Sequence, residues 1–175
     1  MAKVGYIFKA DLYEGFDADK EWMQQYGCIQ VVEESVEHES LRPQWKQLIS
    51  KLERGDEIVV PKFSNAVRGS RELASFIEFC RIKVVRIISI HDRIDSMGKM
   101  FPETTAVDVL NMLGGLAEEV TVLRNSSAHA MQLQQNIRTP IKTAKVMEQK
   151  ERENTIVDMY NNGHSIDSIL AVSGY

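Results

Sequence analysis

The residues of this sequence best suited to chemistry are few and scattered. His91 is followed directly by Asp92 at the end of a strand-like run, the order of a base beside an acid that orients it, but no nucleophile motif accompanies the pair. Glu33, Glu34, Glu37 and Glu39, with His38 among them, offer metal donors; at this spacing in a polar stretch they read as a solvated loop instead. Cys28 and Cys80 lie far apart and form no CxxC pair, so reduced thiols in a cytoplasmic protein are expected. The Gly114-Gly115 pair follows no strand and cannot be a dinucleotide loop. The sequence therefore calls for no cofactor and no metal.

Charge narrows the partners. A net charge of −4 does not advertise nucleic acid, because phosphate contacts usually come from a basic excess. Up to residue 137 acids outnumber bases, whereas residues 138–152 hold Arg138, Lys142, Lys145, Lys150 and Arg152 against only Glu148 and Glu151. Any basic patch in sequence sits there. No apolar run approaches the roughly 18 to 20 residues of a membrane span, and no membrane partner is expected.

Elements that position these groups follow from periodicity. Lys3 to Phe8 reads as a strand, Asp17 to Tyr26 as a helix closed by Gly27, and Ile29 to Val32 as a second strand. Glu33 to Ser40 reads as a mobile loop. Pro43 opens a helix with Trp45, Leu48, Ile49 and Leu52 on one face, and Glu57 to Val60 is a third strand. Gly69 to Arg81 is helical, Val84 to Ile90 a fourth strand, and 91–102 a loop. This alternation predicts an α/β fold with a mostly parallel four- to five-stranded sheet flanked by helices.

A long helix is then expected over about 104–136. Val109, Leu113, Leu116, Val120 and Leu123 recur in steps of four and three, a heptad seam suited to dimerisation. Beyond Pro140 a polar basic arm leads to a short helical C-terminal segment, with Ile156, Val157 and Tyr160 on one helix and Ser165 capping the next. Helix, turn and helix resemble the opening of a helix-turn-helix, with Val172 to Tyr175 where a groove-reading helix would start. The expected divisions are 1–102, 103–137, 138–152 and 153–175.

Several short stretches, taken in order, resemble the resolvase/invertase group of serine recombinases. They are Gly5-Tyr6, Gly27-Cys28, Arg42-Pro43 with its Leu-bearing helix, GDEIVV from Gly55, the VRG around Arg68, and RIDSMGKM from Arg93 to Met100. The likeness runs from Lys3 to about Asn125, with a weaker echo in the C-terminal helices. In that family a serine after the first strand attacks a DNA phosphodiester while clustered arginines neutralise the phosphate. The family pattern Tyr-x-Arg-Val-Ser falls on Tyr6-Ile7-Phe8-Lys9-Ala10, so an arginine has become Phe8 and the nucleophile Ala10. A methyl group cannot attack phosphorus.

The pattern Asp-Arg-Leu-x-Arg falls on Ser64-Asn65-Ala66-Val67-Arg68, which keeps only its last arginine. The acidic position after the second strand falls on Glu33, and the arginine ahead of the second helix on Arg42. The resemblance thus implies a resolvase-like, DNA-recombination-associated protein without catalytic residues. It would act as a homodimer or higher oligomer, alone or with an active recombinase, and touch the DNA backbone through Arg42, Arg68, Arg138, Lys142 and Lys145. Two alternatives stand beside it: an active recombinase or nuclease with a relocated nucleophile, for which Ser64, Ser70 and Asp11 with charge from Lys9 are nearest in sequence, and an interaction scaffold that has left DNA.

Overall fold

The computed structural model describes residues 1–10, 13–138, 161 and 163. It divides into a unit of Met1–Met131 and a unit of Gln132–Tyr175. Of the second unit, only the end of one helix and residues Asn161 and Gly163 are described, so the expected basic arm and partial helix-turn-helix lie outside the described residues.

Strands β1 (Lys3–Lys9), β2 (Gln30–Ser35), β3 (Glu57–Val60), β4 (Arg86–Ser89) and β5 (Ile94–Asp95) form one sheet in the order β2-β1-β3-β4-β5. The first four pair in parallel and β5 is antiparallel to β4. Helices α1 (Phe16–Tyr26), α2 (Pro43–Lys51), α3 (Phe63–Ala66), α4 (Ser70–Lys83) and α5 (Ala106–Arg138) complete the chain. The predicted α/β sheet is present.

Side chains alternate across a strand, and β1 feeds two cores. Tyr6, Phe8 and Ala10 face Trp45 and Leu48 of α2, Leu73 and Phe76 of α4, and Leu116 and Val120 of α5. Ile7 faces the other side with Met23 of α1. A Cβ at Gly5 would lie 2.5 Å from the Met23 sulfur, so a larger residue there would have to displace that buried side chain. The first core also locates the seam of α5. Leu116 and Val120 are buried within their own chain and Leu123 packs against the same cluster, whereas Val107, Leu110, Leu113 and Val122 are exposed. In this conformation Leu116 and Val120 are not available to a partner.

Three departures from the sequence reading have local causes. The expected loop from Glu33 begins as strand, since β2 runs to Ser35 before a 3-10 turn at Val36–His38. Val84 does not start β4; it caps α4 in the left-handed region (φ 58°), and the Val85 amide closes the helix on the Cys80 carbonyl, a place where glycine is usual. The expected loop 91–102 contains β5, held by Asp95.

The Asp95 carboxylate pairs with Arg86 (2.6 Å) and accepts the backbone N–H groups of Met97, Lys99 and Met100 at 2.8–3.0 Å. Burial alone would raise its pKa, but the Arg86 hydrogen bond and the backbone donors outweigh it and hold the carboxyl well below the usual range. A lowered folded-state pKa contributes stability that is complete above the unfolded value of about 4 and is lost as pH falls below it. Asp95→Asn should therefore lower the urea midpoint at pH 7, with the gap from the parent protein shrinking at pH 3. An equal gap at both pH values would contradict this account.

Candidate functional site

The C-terminal ends of β1 and β3 bring the resemblance-assigned positions together. Ala10 follows β1 and is nearly buried, its amide bonded to the Phe8 carbonyl. Phe8 is fully buried. Asn65 clamps it from α3: Oδ1 accepts the Phe8 N–H (2.8 Å) and Nδ2 donates to the Phe8 carbonyl (2.9 Å). Where the family pattern has an arginine, this chain has a side chain bonded twice to its own backbone.

The two retained arginines also turn inward. Arg42, buried at the N-terminus of α2 with a left-handed backbone (φ 43°), donates to the Ala66 carbonyl and pairs with Glu72 of α4. Arg68 lies over the Phe8 ring at 4.9 Å. Its Nε donates to Glu39 (3.1 Å) and its Nη1 to the carbonyls of Ser64, Asn65 and Val67. Burial, then repulsion from Arg42, lowers the Arg68 pKa. Glu39 also forms an ion pair with Arg124 of α5 (3.1 Å), so one carboxylate ties the turn after β2 to Arg68 and Arg124. Three buried donor atoms of this cluster, Tyr6 Oη, Arg42 Nε and Arg68 Nη2, have no hydrogen-bond partner among the described residues.

Glu33 is corrected by the strand's alternation. It points away from the cluster and pairs with Lys20 (2.8 Å), while Glu34, fully buried beside Phe8 in register, takes the inward place. Glu34 accepts the N–H groups of Gln44 and Trp45, each at 3.2 Å. Burial, and then Glu34 itself, push the nearby Tyr6 phenol up. Sequence reading missed Glu34, Glu72 and Arg124 because each acts through a partner brought close by folding.

The remaining candidates separate. His91 does not use Asp92; its Nε2 lies 2.7 Å from Asp19 of α1, which also receives the Tyr13 hydroxyl. Asp92 caps α3 through the Phe63 N–H and accepts the Ser89 hydroxyl. Lys9 lies over the Phe16 ring (4.7 Å), away from Ala10, and Ser70 is exposed at the start of α4. The Arg138 side chain, Asp11, Lys142 and Lys145 are outside the described residues.

A cavity of about 470 Å³ opens beside Ala10. Pro61, Lys62, Ser64 and Asn65 line it from the β3–α3 segment and Glu118, Glu119, Val122, Leu123 and Ser126 from α5, together with Tyr13. Neither Arg42 nor Arg68 lines it. A mostly parallel sheet with its loops gathered at the strands' C-terminal ends, and a long following helix against that site, defines a resolvase-type α/β domain. The chain belongs to the resolvase family: the family's N-terminal domain matches residues 13–139, a stretch that starts after Ala10. Its architecture is associated with DNA recombination, and the family is normally enzymatic. Among solved structures the chain is similar to a resolvase family site-specific recombinase from Streptococcus pneumoniae, at 22% identity and a TM-score of 0.44, covering 87% of this chain and 99% of that one. Among the described residues, no helix is long and apolar enough to cross a membrane.

Proposed function

We propose that this chain is a non-catalytic member of the resolvase family that acts by association. It dimerises through α5, with itself or with an active recombinase, and its contact with DNA is limited to the phosphate backbone. The observation that carries the reading is the state of the reaction centre: a methyl group at Ala10, with both retained arginines engaged by carboxylates and carbonyls of their own chain. Mixed oligomers with an active recombinase would then lower its activity. The exposed Val107, Leu110, Leu113 and Val122 supply apolar surface on α5 beside the stripe that closes the core.

Incubation with supercoiled plasmid, followed by denaturing electrophoresis, is expected to give no covalent protein–DNA adduct. Sedimentation equilibrium at micromolar concentrations is expected to give a dimer, shifted toward monomer by Leu110→Glu. A monomeric parent chain would overturn the association reading. Two observations favour other readings. The inward arginines and the net charge of −4 suit a scaffold without DNA, which salt-independent failure to shift duplex DNA would support. Ser64, which lines the cavity, suits a relocated nucleophile, which an adduct abolished by Ser64→Ala would support.

A further inference from the structure

We propose that the cavity beside Ala10 is a binding site for a small organic cation, an amine carried on an apolar body. The proposal does not rest on dimerisation or on DNA contact.

The first observation is the charge of the lining. Lys62 is its one cation among the described residues, and its ammonium is paired with Glu119 at 3.1 Å. Glu118 has no ion-pair partner among the described residues and lines the same space. An anion entering here would meet an uncompensated carboxylate. The arginines that could offset it do not line the cavity and are paired with Glu39 and Glu72. Phosphate is disfavoured and an ammonium favoured.

The second observation is the wall. Ala10, Pro61, Val122 and Leu123 give an apolar surface, and the volume lies within the usual range of about 300 to 1,000 Å³ for small-molecule sites. The third is Ser64. Ser64 is 8% exposed and lines this space, and its hydroxyl makes no hydrogen bond among the described residues. A hydroxyl free of intramolecular partners is available to hydrogen-bond a ligand. Tyr13 also lines the space and brings an aromatic ring, the kind of group that attracts an ammonium. An occupant would touch both α5 and the loops of the sheet.

Tryptamine and indole-3-propionate, nearly equal in shape and opposite in charge, test the site by amide NMR titration of the full chain. Tryptamine is expected to shift the amides of Ser64, Val122 and Leu123 and to bind about tenfold tighter than the acid. Glu118→Gln should cut that preference to about threefold or less. Val122→Trp should fill the space and abolish the shifts; Val122 is exposed, so a well-dispersed spectrum shows that the fold is kept. The proposal is overturned by equal or tighter binding of the acid, by displacement of tryptamine with inorganic phosphate, by absence of localised shifts, or by indifference to Val122→Trp. Sedimentation results bear on the dimer alone, so the two readings fail separately.

Discussion

Ala10→Ser is expected to remain folded and still form no covalent adduct with supercoiled DNA. Folding is expected because Ala10 borders the cavity, where a hydroxyl fits without displacing core atoms. Failure to react is expected because a hydroxyl is only one part of phosphoryl transfer, which depends on cations already aimed at the developing charge. Here Phe8 and Asn65 occupy two positions where the resemblance places arginines, and Asn65 is spent on the Phe8 backbone. Arg68 would have to leave Glu39 and three carbonyls to reach a phosphate, and Arg42 would have to leave Glu72 and the Ala66 carbonyl. Losing one preorganised donor costs about 100- to 1,000-fold, so two missing arginines leave a deficit on the order of 10⁴ to 10⁶. Thermal melting of the variant within a few degrees of the parent, with an empty adduct lane, is the expected pair of results. Robust cleavage by the single variant would show that the present arginines suffice.

Glu34→Ala is expected to cause a large loss of stability. The first turn of α2 shows why. Pro43 has no N–H, Lys46 bonds back to the Arg42 carbonyl, and the two donors left over, Gln44 and Trp45, are both met by Glu34. Truncation strands the buried Trp45 N–H, frees the part-buried Gln44 N–H, and removes a negative charge from the positive end of a helix dipole. Together these cost about 2 to 4 kcal/mol, or a fall in Tm on the order of 10 °C. Glu34→Gln keeps an acceptor oxygen and the shape, and should lose about half as much. Melting curves followed by circular dichroism decide the matter: a Glu34→Ala protein within 2 °C of its parent would show that water meets the α2 amides equally well.

How much of this was legible in the sequence varies with the range of the interaction. Strands β1 and β3 and helices α1, α2 and α4 follow from local periodicity, capping glycine and Pro43, because those signals act within a few residues. Strand β5 was hidden, since two residues carry no periodicity and pairing with β4 depends on Asp95 reaching Arg86. The sequence put the acidic position on Glu33, whereas in the structure Glu34 faces the cluster, because in a strand one residue changes the face. The heptad of α5 predicted an apolar stripe, yet periodicity cannot say what covers it, and the sheet's own core takes Leu116 and Val120.

The sequence by itself determined the alternation of strands and helices, and hence the α/β class, together with the identities of Phe8, Ala10, Ser64 and Asn65 at positions where the resemblance expects charge and a nucleophile. Only the tertiary structure decided what the surviving arginines do. Arg42 and Arg68 read alike in sequence whether they face solvent phosphate or their own chain. Their choice was made by Glu72, Glu39 and the α3 carbonyls, which come near only when the sheet forms, because ion pairing is set by distance in space and not by distance along the chain.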